Sequence, residues 1–321
     1  DTQKKWLPKK SRICLSSLMS DANTHFGFVS VLGLPNVGKS SLVNALCGSR
    51  ICIVAPKPQT TRTNIRGIFV HRKSQIVLVD TPGLVYSGER LHKAMHQAAI
   101  NSVQDSDMAL FIIDASKKGQ VKTNFQRLAE LKSRVSERSF KTALVLNKID
   151  KIAHRDLLPL SADLNEQFSF DATFMVSATR EKGLEDLKDY LSQNVPQGPW
   201  HYDEDDITDF PVKLMAAEFT REQVFRHLKE EVPHKTTVET EKMEENADGS
   251  LTLYQSVIVQ RDTQKPIVIG EKGRMIKLIG EKARKNLEEV FERRIHLKLN
   301  VRVNAGWDSS NEYYRIWGLE Q

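Results

Sequence analysis

Cysteine is scarce in this chain. Its three thiols, Cys14, Cys47 and Cys52, fall at no zinc-ligand spacing and leave an odd count, which argues against a disulfide framework and fits a reducing compartment. They read as two small core residues and one tail residue. No apolar run approaches the roughly 18 residues that a membrane-crossing helix needs, so no transmembrane segment is expected. No repeat of solenoid length stands out either. What is present is apolar residue enough, 40% of 321 positions, for two domains of ordinary size to bury their own cores.

The charge is uneven. Residues 1–200 hold 28 lysines and arginines against 18 acids, residues 201–249 hold 6 against 14, and residues 261–302 hold 12 against 6. A basic block beyond an acidic one predicts a directed surface rather than uniform stickiness. The first 25 residues carry Lys4, Lys5, Lys9, Lys10 and Arg12 with several serines, against Asp1 and Asp21. That composition suits either the remnant behind a cleaved organellar presequence or a tail with no address, and both stay open.

Short β-branched runs alternate with helical stretches up to about residue 195. Strands are expected at 26–32, 65–71, 75–80, 108–114, 143–147 and 173–177, most of them nearly all apolar, as strands covered on both faces are. Helical segments such as 40–47 and 184–192 lie between them, which predicts a doubly wound α/β sheet. Residues 193–211 change character: Pro196, Gly198, Pro199 and Pro211 punctuate a run with Asp203, Glu204, Asp205 and Asp206. This reads as a linker with a solvated acidic surface, since it lacks the glycine and distal glutamate of a calcium loop. Beyond it the expected order is strand, helix, strand, hairpin turn, strand, helices, strand, with Asp248-Gly249 turning between 237–245 and 251–259.

Gly33-Leu34-Pro35-Asn36-Val37-Gly38-Lys39-Ser40 matches the P-loop pattern, follows an apolar strand and opens a helix, which is the context that motif requires. Glycines let backbone N–H groups wrap phosphates and the helix N-terminus adds a favourable dipole. Lys39 is expected to reach the β- and γ-phosphates and the Ser40 hydroxyl to bind magnesium. Gly33, Asn36, Val37, Gly38 and Ser41 complete the phosphate cradle. Asp80-Thr81-Pro82-Gly83 ends another apolar strand, so Asp80 can hold magnesium through water while the Gly83 N–H approaches the γ-phosphate. Asn147-Lys148-Ile149-Asp150 follows a further strand. The Asp150 carboxylate can accept the N1–H and 2-amino group of guanine, a donor pair adenine lacks, and an unpaired buried carboxylate discriminates strongly. Asn147 can bond N7 or neighbouring loops, the Lys148 stem can cover the base, and a backbone N–H within Ser177-Ala178-Thr179 can meet the guanine oxygen. In Pro58-Gln59-Thr60-Thr61-Arg62, Thr61 rather than Thr60 is expected to complete the magnesium shell. Together these elements point to GTP/GDP and Mg2+, with Lys39, Thr61 and Gly83 acting at the reacting phosphate.

Leu84 follows Gly83, where Ras-like proteins place a water-orienting glutamine. A leucine side chain cannot orient water, so slow intrinsic turnover accelerated by a partner or an ion is expected. Asn36 is a candidate K+ ligand beside the phosphates. His92 and His96 have metal-compatible spacing but no evident third ligand, and are expected on a helix surface.

The segment from Val268 to Gly280 contains Gly270-Glu271-Lys272-Gly273 followed by an amphipathic helix. A G-x-x-G loop in this setting is the KH signature, which clamps a single-stranded RNA backbone while bases lie in an apolar groove. Lys272 and Arg274 are placed to meet phosphate, with Lys277 a turn further on; Ile269, Met275, Ile276 and Ile279 can line the groove or the core. The leading strands precede the loop, which suggests the type II-like variant.

On these residues the chain resembles the Era family, GTPases joined to a C-terminal KH domain. The marks are Pro35-Asn36-Val37-Gly38-Lys39-Ser40, Lys57-Pro58-Gln59-Thr60-Thr61-Arg62, Asp80-Thr81-Pro82-Gly83, the Gly198-Pro199-Trp200 linker, Asp206-Ile207-Thr208-Asp209 and Val268-Ile269-Gly270-Glu271-Lys272-Gly273, within a resemblance spanning about residues 26–320. The resemblance implies a P-loop α/β GTPase domain at 26–195, a linker at 196–211 and a smaller α+β KH domain at 212–321, behind a basic extension at 1–25. It implies binding to the 3′ region of small-subunit ribosomal RNA, the pre-small ribosomal subunit and its proteins as partners, a monomer, and RNA affinity set by GTP through contact between domains. By similarity, residues 270–273 touch the RNA backbone. The basic extension departs from the family and hints at the mitochondrial matrix, with a plastid or bacterial cytoplasm as alternatives. Trp307-Asp308-Ser309-Ser310 lacks a basic residue expected there. A GTP-binding RNA scaffold with little turnover remains a competing reading; a tRNA-modification GTPase would need a cysteine-bearing domain that is not visible.

Overall fold

The computed structural model describes residues 23–83, 90–117 and 141–319. Strands β1 (His25–Gly33), β2 (Ile65–His71), β3 (Ser74–Asp80), β4 (Met108–Asp114), β5 (Lys141–Asn147) and β6 (Ala172–Met175) form one sheet in the order β2-β3-β1-β4-β5-β6. Only the β2–β3 pair is antiparallel. Every residue of β3 and β4 is buried, which explains the apolar runs 76–79 and 108–113: helices cover both faces of a parallel sheet. Helices α1 (Lys39–Cys47), α2 (Arg90–Gln104), α3 (His154–Gln167) and α4 (Leu184–Asn194) surround it. β6 is shorter than the sequence suggested, because the Ser177 N–H turns away to the Lys182 carbonyl at 3.0 Å.

β1 pairs with β3 on one side and β4 on the other, so strand order reverses there. Ligand crevices form at the carboxyl ends of strands at such a reversal. Gly33, Asp80, Asp114 and Asn147 end β1, β3, β4 and β5 at that edge.

Residues 196–211 are packed along the sheet rather than strung between domains. Phe26 N donates to Pro196 O at 3.0 Å, Ile68 N to Ile207 O at 2.8 Å, and Thr208 Oγ1 to Arg66 O at 2.6 Å. β2 is an edge strand, and this segment covers groups that would otherwise lie open for pairing. Ile207 and Phe210 are buried beneath it, and His201 stacks on Phe26 at 4.0 Å.

The strand expected next is absent, because the chain passes from Pro211 directly into helix α5 (Val212–His227). α5 shows no one-sided pattern because both its sides are covered: Thr220, Arg221, Glu222 and Gln223 are as buried as Phe219 and Phe225. A three-stranded sheet follows, β7 (Thr236–Glu245), β8 (Leu251–Val259) and β9 (Ile295–Val303), in the order β7-β8-β9. β7 and β8 form the expected hairpin, while β8 and β9 run parallel, joined through α6 (Lys265–Ile269) and α7 (Arg274–Phe291). Ile279 and Val268 pack on Val257 and Val259 in this core. Beyond β9, the fully buried Trp307 and helix α8 (Asn311–Ile316) return to α2, where Tyr313, Tyr314 and Trp317 cluster with Leu91, Met95 and Ala98.

Candidate active site

The loop from Gly33 to Lys39 leaves β1 and enters α1 through Gly38, whose φ is 99°. A Cβ there would lie 2.3 Å from Asn147 Nδ2, so both its conformation and its neighbour require glycine. Lys39 is buried, and its Nζ donates to the carbonyls of Gly33 at 3.0 Å and Leu34 at 3.1 Å, inside the curve of the loop. Burial brings its pKa down to about 8, with Asp80 acting in the opposite sense. An ammonium held this way is an anion-seeking group with little solvent to give up.

Ser40, Thr61 and Asp80 converge from three separate elements. Ser40 Oγ donates to Asp80 Oδ2 at 2.6 Å and lies 3.0 Å from Thr61 Oγ1, which is itself 3.3 Å from Asp80 Oδ2. Thr60 turns away, its hydroxyl bonded to Lys57 O at 2.8 Å. Burial pushes the Asp80 carboxyl up, against Lys39 and the hydroxyls of Ser40 and Thr61, which pull it down. Its Oδ1 is buried with no hydrogen-bond partner. An orphaned carboxylate oxygen beside two hydroxyls is a hard-oxygen donor set, and it fits Mg2+. Gly83 closes this side: a Cβ on it would stand 3.0 Å from Pro35 Cα.

On the base side, Asn147 is buried and joins three loops. Its Nδ2 donates to Val37 O at 2.9 Å, and its Oδ1 accepts from Lys148 N at 2.8 Å and Ala178 N at 3.2 Å. Of the two roles open to it in the sequence, the structure displays the bonding of neighbouring loops. Asp150 Oδ1 accepts from Ser177 Oγ at 2.5 Å, which holds that carboxyl below its usual range. Thr179 is exposed at the rim. Lys148 Nζ bonds Asn36 O at 2.5 Å and Asp114 Oδ2 at 2.7 Å.

Asp114 had escaped sequence reading. It also accepts from Ser116 N at 3.1 Å and Ser116 Oγ at 2.6 Å. Burial pushes this carboxyl up, but the bonds from Lys148 and Ser116 outweigh it and leave the pKa lowered. The signal was its place at the carboxyl end of a strand. A cleft of about 390 Å³ lies over the phosphate loop, lined by Lys39, Ser40, Thr61, Gly83, Lys148 and Lys151 among others, with Asn36, Ser41 and Lys117 also at its wall. Such a size suits a nucleotide-sized ligand.

Asn36 has a φ of 64°, and its Nδ2 donates to Pro56 O at 3.2 Å. His92 Nε2 meets Gln59 Oε1 at 2.9 Å, and no metal-binding group of three or more His, Cys, Asp or Glu occurs among the described residues. Leu84, Cys14 and the basic residues up to 22 lie outside the described residues.

In the second domain Gly270 has φ 73° and ψ 170°, and a Cβ there would meet Met275 Cβ at 2.6 Å. Glu271, Lys272 and Arg274 project to the exterior, as does Lys277 on the first turns of α7, while Ile269 and Gly273 are half-buried. Ile279 belongs to the core. Met275 and Ile276 of α7, and Leu299, Val301 and Val303 of edge strand β9, are partly buried and pack against the same core. Lys272, Arg274 and Lys277 thus stand exposed around the two glycines, an arrangement able to grip a nucleic-acid backbone.

Two family models match the chain: one described as 50S ribosome-binding GTPase over residues 28–148, and one described as KH domain over residues 231–308. GTPase Era of Mesorhizobium japonicum is 45% identical over 299 residues, covering 92% of this chain and 94% of that protein. GTPase Era of Brucella suis is 46% identical over 297 residues with the same coverage. Both relatives are bacterial. Among solved structures, an Aquifex aeolicus Era variant bound to GDP.AlF4- aligns with a TM-score of 0.86 at 32% identity, covering 93% of this chain and all of that one. An Era complex with MgGDPNP and nucleotides 1506–1542 of 16S ribosomal RNA aligns with a TM-score of 0.85 at 32% identity and the same coverage. With a P-loop, a magnesium-competent trio and a G-x-x-G loop in one chain, and this likeness along nearly its whole length, the protein is a GTPase and belongs to the Era family.

Proposed function

We propose that this chain is a GTP-hydrolysing, RNA-binding switch in the assembly of the small ribosomal subunit, and that it binds the 3′ region of small-subunit ribosomal RNA. The observation that carries this reading is the presence, in one chain, of the Ser40–Thr61–Asp80 cluster and a G-x-x-G loop with exposed cations. The relative solved with 16S nucleotides supplies the RNA class.

In this reading Gly33, Asn36, Val37, Gly38, Lys39, Ser40 and Ser41 cradle the phosphates, and Gly83 senses the γ-phosphate. Ser40 and Thr61 bind Mg2+ directly, with Asp80 behind. A Mg2+ ion held by these residues would supply charge neutralisation at the phosphates. Lys39, inside the loop, stabilises the charge that develops on the β- and γ-phosphates during transfer. Asn147, Lys148, Asp150 and Ser177–Thr179 read guanine, and Asn36 is a K+ ligand. Ile269, Gly270, Glu271, Lys272, Gly273, Arg274 and Lys277 meet RNA. The GTPase domain occupies 26–195, the connecting segment 196–211 and the KH domain 212–321. The basic residues before 26 support a mitochondrial matrix location; the bacterial relatives support the bacterial cytoplasm as the alternative.

The test is GTP turnover by the purified chain, with and without a small-subunit RNA 3′ fragment, in potassium and then in sodium. Turnover that is slow alone and rises with RNA supports the switch. GTP binding with no turnover in any condition would leave an RNA scaffold instead.

A further inference from the structure

Thr61 and Arg62 are sequence neighbours that face opposite partners. The Thr61 hydroxyl lies among Ser40 and Asp80. The Arg62 guanidinium points into the second domain, where Nη1 donates to Thr236 O and Nη2 to His234 O, each at 2.9 Å. It stands over the rings of Trp307 at 5.0 Å and Phe225 at 5.8 Å, and it is 4% exposed. Its neighbours are tied to the same side. Lys57 Nζ donates to the carbonyls of Phe225 and Leu228 at the end of α5, Arg221 Nη2 donates to Thr60 O, and Thr63 Oγ1 donates to Trp317 O at 2.6 Å.

The seam is electrostatically unfavourable in one respect. Arg62 and Arg221 are both buried and repel one another, and Glu218 is the carboxylate that bonds Arg221. Arg221 Nη1 is buried without a hydrogen-bond partner. Packing alone would be better served by apolar residues, so two buried guanidiniums that each grip a backbone carbonyl across the seam are better explained as couplers than as stabilisers.

We propose that Arg62 is a positioning residue for GTP hydrolysis: by holding the carbonyls of His234 and Thr236 it fixes the backbone that presents Thr61 to the magnesium site. The closed seam and the hydrolysis-competent Thr61 are then one state, and the second domain is part of what the hydrolysis site requires. The proposal rests on the GTP-hydrolysing reading above. It separates two ligands, because Thr61 serves the γ-phosphate state and GDP has no γ-phosphate.

The test uses the full chain and two variants, Arg62→Ala and Arg221→Met, the second removing the Thr60 tie from the other domain. Each should lower the turnover rate about 10-fold, from the loss of charge-assisted bonds that hold the switch, while GDP affinity changes less than about 2-fold. Exchange of GDP for a non-hydrolysable GTP analogue should change the tryptophan emission of the wild type, since Trp307 and Trp317 both lie at the seam, and this change should be lost in Arg62→Ala. Arg62→Lys, which keeps the charge but not the two-pronged grip, should restore little. An Arg62→Ala chain with wild-type turnover overturns the proposal, and so does one in which turnover and GDP affinity collapse together. A wild type that neither binds nor hydrolyses guanine nucleotides would remove the functional reading and the proposal at once; an active wild type beside an equally active Arg62→Ala removes the proposal alone.

Discussion

Asn147, at the end of β5, donates its side-chain amide to the carbonyl of Val37 in the P-loop at 2.9 Å, and the oxygen of the same amide accepts the backbone N–H groups of Lys148 and Ala178. One buried side chain therefore sets the spacing between the phosphate loop and both base-side loops. Asn147→Ala leaves a carbonyl and two N–H groups without this partner. Each such bond is worth on the order of 1 kcal/mol or more when its loss strands a buried group, so GDP affinity should fall about 10- to 100-fold. Titration calorimetry checks this, and an affinity within about 2-fold of wild type would show that the loops hold their spacing without it.

Asp150 presents a carboxylate steadied by Ser177. Asp150→Asn replaces one acceptor by a donor, which clashes with the N1–H and 2-amino pair of guanine. GTP affinity should drop by two orders of magnitude or so, while xanthosine triphosphate, which carries an oxygen in place of the amino group, should gain. Competition binding with GTP, ATP and xanthosine triphosphate measures both directions. Unchanged preference for GTP over ATP would take the base-reading role away from Asp150.

Much of this was legible in sequence, for reasons that differ by element. β4 announced itself because all seven residues are buried, leaving nothing polar to interrupt the run before Asp114 at its end. The P-loop was legible because Gly38 admits no other residue against Asn147. A strand was expected ahead of α5, whose helical period is hidden because Arg221, Glu222 and Gln223, polar residues that normally mark an outer face, are buried at the seam. Asp114 carried no motif, and its role depends on Lys148, 34 positions away. The seam itself was illegible: the Arg62–Thr236 bond joins residues 174 positions apart, a separation that no local pattern reports.

His234 lies in that seam with its ring edge-on to Phe225 at 5.4 Å. Burial lowers its pKa, Arg62, Lys57 and His92 lower it further, and Glu231 acts the other way. The folded chain therefore binds this proton less readily than the unfolded chain. Stability at this site is full above the ordinary histidine value of about 6.5 and declines as pH falls below it toward the folded value. Thermal unfolding of wild type should lose midpoint temperature as pH falls below about 6.5, and His234→Gln should flatten that part of the profile. Parallel profiles for the two proteins would show that the ring does not couple seam closure to protons.

Lys272 and Arg274 flank Gly273 and are both exposed, whereas Gly270 is fixed by a φ of 73° and by Met275 behind it. The two kinds of residue should fail differently. Replacing both cations by alanine removes phosphate contacts without disturbing the turn, so RNA affinity should fall and the slope of log K against log salt should shrink by about 1.4, two contacts at roughly 0.7 each for a single strand. Gly270→Val instead forces the turn open against Met275, and affinity should fall with the slope set by whichever cations still reach phosphate. Filter binding of a single-stranded small-subunit RNA 3′ fragment at several salt concentrations distinguishes them. A double alanine variant with the wild-type slope would place Lys272 and Arg274 outside the interface, and other cations of the basic block would then have to hold the RNA.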